Sequence, residues 1–557
     1  MKESLFGAIL FFCFLFSYAQ KPGYYNNPIL AGFYPDPSIC RAGDDYYIVN
    51  SSFAYFPGLP IFHSKDLVNW KQVGHAMNRP EQLNTIGSGV SRGLFAPAIS
   101  YHKGTYYIVC TLIDKGGNFV ITAKNPAGPW SNPTWLKEVD GIDPSLFFDE
   151  DDKAYIIYNS IPPDNKSLWD GHRTIRMYEF DYKKLNVTGK EKLIINGGTD
   201  MSKKPVWIEA PHLYNINGWY YLLCAEGGTG GNHSEVVFRS KNVDGPYISY
   251  EGNPILTQRH LDPKRPAPIT TVGHADLVET PDGKWYAVFL GCRPYEDNHF
   301  NIGRETFMAP VRWENGWPII TTGNELVQYQ YPLPQSNVNK ERLNPYSGNF
   351  TFRDEFSNAP LNHRYIFLRT VVDQWWGTND KSSSLALQLR PETVSGTGNP
   401  SFVGFRQQHH VGVATTALDF IPKSENEKAG LIIFQSEKHF YYVCKSMEGG
   451  KPVVQLYQST PGSDMTLLTS QQLSSTNQQL YLRIEPKNAI YAVSYSTDNK
   501  NWTLLKDVDG KFLSTKTAGG FVGSVFGLYA TSLEKESKSK AYFDWFEYKG
   551  ADKIFEQ

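Results

Sequence analysis

Long apolar runs are missing from this 557-residue chain except at its very start. Beyond Phe16 no stretch resembles a membrane-spanning helix. Net charge is nearly missing as well: 54 Lys and Arg stand against 56 Asp and Glu, a balance of -2. That leaves no electrostatic footing for nucleic acid or an anionic membrane surface. Cysteine is scarce, and one of the six lies in the N-terminal run. The other five, Cys40, Cys110, Cys224, Cys292 and Cys444, are odd in number and far apart. They are expected as isolated buried thiols rather than a disulfide framework or a zinc site. Long helical periodicity is also lacking in the first three hundred residues, which excludes an α/β architecture there.

The N-terminus MKESLFGAILFFCFLFSYAQ has one Lys, an apolar run from Leu5 to Phe16, and small residues at Ser17 and Ala19. It reads as a secretory signal, residues 1–19, cut near Ala19. A periplasmic or secreted protein is therefore expected. A retained anchor is the alternative. A lipoprotein is disfavoured, because Cys13 lies inside the run and not at its end.

Aromatic residues, by contrast, are plentiful at 14%, with 34 Tyr and 13 Trp. They favour β-structure and flat surfaces for a sugar. A repeat organises them. DPSICRAGDDYYIVNSS starts at Asp36, APAISYHKGTYYIVCT at Ala96, DPSLFFDEDDKAYIIYNS at Asp143, APHLYNINGWYYLLCAEGG at Ala210, and HADLVETPDGKWYAVFLGC at His274. Each is a short strand, a turn with Gly or Asp, and an aromatic-rich strand. Further strand signals follow each pair, so about four strands fit one unit, the content of a propeller blade. The start-to-start spacings of 60, 47, 67 and 64 residues are too long for a β-helix. Five units predict a five-bladed β-propeller over residues 20–330.

In a propeller the first strand of every blade lines the axis. Equivalent residues therefore converge. Aligning the five units on Pro37, Pro97, Pro144, Pro211 and Ala275 places Asp36, Asp143 and His274 on one funnel, with Glu209 one residue ahead of Ala210. Three carboxyls in one pocket repel and desolvate one another, so their pKa values should separate. One stays protonated and another ionised, which is what glycoside hydrolysis requires. With the pair roughly 6.5–9.5 Å apart, a water fits and the anomeric centre inverts. The alternatives are turn-forming aspartates, a core histidine, or a divalent-metal cluster.

The motifs YPDPS, GIDPSLFFD, WIEAPHL and VGHADLV, in that order, resemble glycoside hydrolase family 43, in its subgroups with a C-terminal β-sandwich. The resemblance runs from about Asn27 almost to the C-terminus. It implies that Asp36 is the general base, Glu209 the general acid, and Asp143 the residue that orients Glu209 and raises its pKa. It implies that Arg304, in NIGRET, binds sugar hydroxyls, and that Phe53 walls the terminal-sugar site. His274 matches a histidine at the channel bottom that in some members holds Ca²⁺ or a water, so a Ca²⁺ near His274 is optional; no cofactor is required. Phe95 stands where related β-xylosidases often show Trp, which points toward arabinofuranosyl side chains.

YPLPQSNVNKERLNPYSG, residues 331–348, is expected as a linker. Strand grammar resumes over residues 349–557, and its closing AYFDWFEY resembles a concanavalin-like β-sandwich. The all-β whole is then a five-bladed β-propeller followed by a sandwich. In relatives an aromatic of the sandwich closes the sugar pocket, and Phe521 is the candidate here. The implied activity is exo-acting, inverting hydrolysis of terminal α-L-arabinofuranosyl residues from plant cell-wall oligosaccharides or hemicellulose of the arabinoxylan or xyloglucan type. β-Xylosidase or dual activity is the alternative. A noncatalytic carbohydrate-binding propeller would be expected to lack one of the three carboxyls. A retaining sucrose-type propeller would be expected to open with an NDPNG-like motif.

Overall fold

The computed structural model describes residues 23–334, 346–357, 360–379, 383–460 and 463–556. The expected signal segment lies outside them. Among the described residues one short α-helix, Thr515–Ala518, accompanies the strands, and no helix is long and apolar enough to cross a membrane.

Five antiparallel four-strand blades follow in chain order, opening with the inner strands Ser38–Ala42, Ala98–His102, Ile142–Phe148, Glu209–Ile216 and Thr270–Glu279. The fourth blade carries an extra pairing from Leu256–Thr257. The second strands, such as Thr105–Leu112 and Ala154–Ser160, are buried along almost their whole length. Adjacent blades cover both of their faces, which is why these runs are continuously apolar rather than alternating.

Side chains of the inner strands stitch each blade to the next. Ser38 Oγ donates to Asp276 across the blade five to blade one junction (2.7 Å) and accepts the Ile99 N–H of blade two (3.0 Å). Ser100 Oγ donates to the Leu146 carbonyl at 3.2 Å, and Ser145 Oγ to that of Pro211 at 2.5 Å. Tyr214 closes the ring by donating to Asp276 at 2.6 Å. The serines of the two Asp-Pro-Ser motifs thus fasten neighbouring blades, while the aspartates two residues earlier are left for the axis. Outside the blades, Tyr24–Asn26 pairs with Gln330–Pro332 and clasps the two ends of the propeller chain.

The first residues of the expected linker therefore belong to that clasp. Tyr346, near its end, is buried, with its carbonyl accepting the Ala31 N–H at 2.7 Å. Residues 335–345 lie outside the described part of the chain.

The second domain has two eight-stranded antiparallel sheets, as a sandwich requires. One contribution was not foreseen. Tyr55–Phe56, from the first blade's long connection, is an edge strand of a sandwich sheet, paired with Tyr365–Leu368. The largest apolar core accordingly runs without a break from Val49, Leu59 and Ile108 to Phe367, Leu431 and Phe526. All five described cysteines are buried and free, as expected.

Candidate active site

A cavity of about 530 Å³ opens at the propeller axis. Asp36, Asp143, Glu209, His274, Arg304, Phe53, Phe95 and Phe521 all line it, so every site residue singled out in the sequence reaches one place. Backbone irregularity puts them there. Asp36, Asp143, Ala210 and His274 have φ of 50°, 53°, 50° and 58°. This left-handed state is unusual for non-glycine residues, costs on the order of 1–3 kcal/mol each and clusters at functional sites. The ladder registers slip at the same points: between Ile142 and Ser145, between Glu209 and His212, and on both sides of Gly273. Such bulges turn a side chain out of the sheet. They also explain why Glu209 sits one place off the repeat position and still reaches the funnel.

Asp36 is fixed from several sides. Ser51 Oγ donates to its Oδ2 at 2.5 Å. Arg304 approaches both carboxylate oxygens, Nη1 at 2.9 Å from Oδ1 and Nη2 at 3.3 Å from Oδ2. The carbonyls of Tyr34 and Pro35 are held by Asn50 Nδ2, each at 3.1 Å. Both partners of the Asp36–Arg304 pair are buried, so neither ion is stable there without the other.

The two remaining carboxyls are driven toward their neutral forms. Burial, then the Asp36 charge, push Glu209 from the ordinary 4.5 up to about 7, while Arg304 and Arg173 oppose the rise. Burial, then the Glu209 and Asp36 charges, hold Asp143 well above the usual carboxylate range, against a hydrogen bond from the Ala210 N–H. The site thus contains an ion-paired carboxylate and a nearby carboxyl that still carries a proton near neutrality. Burial pushes the His274 imidazole down to about 3, so it is neutral. Glu235 supports it from behind, accepting the backbone N–H groups of His274 and Ala275, the latter at 2.8 Å.

The optional Ca²⁺ finds little support in the donor set. Among the described residues no three His, Cys, Asp or Glu side chains converge as metal ligands. A neutral imidazole is also a poor partner for a hard, oxygen-seeking cation.

Aromatic rings form the roof. Phe521 stacks on Phe53 (centroids 5.9 Å, 19°) and meets Phe95 edge-on at 6.1 Å. The Arg304 guanidinium lies 5.5 Å from the Phe521 ring and 5.9 Å from that of Phe53. The loop bearing Phe521 is locked onto the propeller. Phe521 N–H donates to Ser91 Oγ at 3.0 Å, and Ser524 N–H to the Asn301 carbonyl at 2.7 Å. Gly303 and Gly523 face each other so closely that a Cβ on Gly523 would come within 2.5 Å of the Ile302 carbonyl oxygen.

Sequence reasoning missed Trp207, Ile142 and the Gly227–Gly230 loop, which also line the cavity, and Ser51 and Glu235, which hold the base and the histidine. The GGTGG run was a visible signal for the loop. Trp207 stood inside the quoted WIEAPHL but falls outside the repeat register.

Family comparison agrees with this geometry. Residues 25–318 match the model of glycosyl hydrolases family 43, and residues 353–549 that of the beta xylosidase C-terminal concanavalin A-like domain. A xylosidase/arabinosidase of Butyrivibrio fibrisolvens is 38% identical, covering 94% of this chain and 98% of that protein. A non-reducing end alpha-L-arabinofuranosidase of Bacteroides ovatus is 35% identical, covering 96% of each. The crystal structure of a GH43_12 protein from a capybara gut metagenome superposes with a TM-score of 0.86 at 40% identity, covering 92% of this chain and 96% of that one. With its bulged blades, its three axial carboxyls and its sandwich-borne roof, the chain belongs to glycosyl hydrolase family 43 and is a glycosidase.

Proposed function

We propose that this glycosidase acts from the non-reducing end, inverts the anomeric centre, and removes terminal α-L-arabinofuranosyl residues from hemicellulose side chains or the oligosaccharides derived from them. One observation carries the reading: three carboxyls and Arg304 meet at the bottom of a single cavity of about 530 Å³ roofed by Phe521. That roof stops a chain from running through and leaves room for a terminal sugar.

Asp36, paired with Arg304, takes a proton from water as the water oxygen attacks the anomeric carbon. Glu209, protonated up to about pH 7, gives its proton to the glycosidic oxygen as the carbon–oxygen bond breaks. The cycle ends with Asp36 protonated and Glu209 ionised, and exchange with solvent resets both. Asp143 sits beside Glu209 through the Ala210 N–H and positions it. Arg304 and neutral His274 face the sugar hydroxyls. Two carboxyls and one water supply the whole reaction. The apolar N-terminal run supports export to the periplasm or beyond.

The arabinofuranosyl preference rests on Phe95 in the cavity wall and on the Bacteroides ovatus relative. β-Xylosidase or dual activity is the second reading, favoured by the name of the C-terminal domain model and by the Butyrivibrio relative. The test compares turnover of the aryl α-L-arabinofuranoside and the aryl β-D-xylopyranoside while NMR follows the first-formed anomer. Dominant xyloside turnover would replace the first reading with the second. A retained initial anomer would refute the single-displacement scheme.

A further inference from the structure

Trp207 has no part in the chemistry above, yet it is a constructed feature. Its φ is 52°, which for a bulky side chain is a genuine outlier. Its backbone N–H donates to the Gly171 carbonyl at 2.8 Å, and the next carbonyl back, that of Val206, accepts the Gly227 N–H at 2.7 Å. Gly171 (φ 80°) has no room for a side chain: a Cβ there would meet Val206 at 2.8 Å. Three loops are thus pinned together around this one residue. The Arg173 guanidinium lies 3.8 Å from the Trp207 ring, a close cation–π stack that fixes the ring plane. The half-buried ring nevertheless lines the catalytic cavity.

Position tells what the ring is for. Trp207 is two residues ahead of Glu209, and the acid must sit beside the oxygen of the departing group. Phe53, Phe95, Phe521 and Arg304, which line the cavity from other elements, are the residues assigned above to the terminal sugar. From this placement, and resting on the function proposed above, we infer that Trp207 backed by Arg173 is the platform for the leaving-group sugar. It is a binding subsite for the first backbone unit of a saccharide, stacked by its apolar face. Arg173 has a second effect there, because its charge also draws Glu209 downward and so tunes the acid from beneath the platform.

Glycosyl fluorides provide the test, since they present the terminal sugar with no leaving-group sugar to stack. Wild type, Trp207→Ala and Trp207→Phe are assayed on α-L-arabinofuranosyl fluoride, on β-D-xylosyl fluoride and on an arabinosylated xylo-oligosaccharide. Trp207→Ala should lose about tenfold or more in kcat/KM on the oligosaccharide, mostly through KM. The fall should be at least about fivefold larger on the oligosaccharide than on either fluoride, and Trp207→Phe should recover most of that difference. Equal falls on fluoride and oligosaccharide would mean a merely structural residue and overturn the inference, as would no fall on either. A wild type that hydrolyses neither fluoride would refute the function reading itself and take this inference with it.

Discussion

Replacing Phe521 by alanine tests whether a residue of the second domain sets the proton affinity of the acid in the first. The raised Glu209 carboxyl, from 4.5 to about 7, represents roughly 3 kcal/mol, and burial is its largest cause. Phe521 supplies part of that burial by closing the cavity. It also contacts Phe53, Phe95 and Arg304 at 5.9, 6.1 and 5.5 Å. Each aromatic pair is worth about 0.5–1.5 kcal/mol and the cation–π contact about as much, so the roof loosens by about 2 kcal/mol. Water then reaches the acid. If a third to a half of the burial effect is lost, the Glu209 pKa falls by about one unit. The acid works only when protonated, so the alkaline limb of kcat/KM should move down by about one pH unit. Near neutrality this adds to a fall of about tenfold from the lost contacts. The assay is kcat/KM on the aryl α-L-arabinofuranoside from about pH 5 to about pH 9. An alkaline limb that stays in place, with kcat/KM within about twofold, would refute a role for the sandwich in tuning the acid.

Further outcomes follow from the same geometry. Asp36→Ala should abolish turnover on every substrate, whereas Glu209→Ala should retain activity on aryl glycosides with good leaving groups and lose it on oligosaccharides. Equal losses on both would sink the acid assignment, and azide should restore neither variant through a covalent intermediate. Arg304→Met strips the buried Asp36 carboxylate of its counter-ion, so kcat/KM on both aryl glycosides should fall by about 100-fold or more; a fall of less than about tenfold would contradict a pairing that the base depends on. Gly523→Ala would press its Cβ onto the Ile302 carbonyl and push the Phe521 loop off the propeller. It should reproduce the Phe521→Ala profile with an unchanged far-ultraviolet dichroism spectrum, and wild-type kinetics would show that the loop yields without consequence.

Much of the site could be read from the chain because a repeat carries it. Asp36, Asp143 and His274 share one register position, and rotation about the propeller axis turns that register into proximity. Glu209 was legible only one residue away, because the bulge between Glu209 and His212 displaces it. Ser51, just past the strand Asp45–Val49, and Glu235, on the strand Ser234–Ser240, act through hydrogen bonds to residues far away in sequence, and a Ser or Glu gives no such signal by itself. Trp207 was hidden by its left-handed backbone, a state that no local pattern announces for tryptophan. The partner of Tyr55–Phe56 lies some three hundred residues further along, beyond the reach of any periodicity.

That two-residue strand has a consequence for the halves taken singly. Tyr365–Leu368 would be an open sheet edge in an isolated sandwich, a template for edge-to-edge aggregation. In the whole protein the propeller caps it. The isolated propeller would in turn lose the partner that anchors the segment immediately following Phe53, together with the Phe521 ring. Each half therefore protects a weak edge of the other. The two should melt as one cooperative unit, and a fragment cut between residues 334 and 346 would yield two aggregation-prone pieces rather than a smaller enzyme.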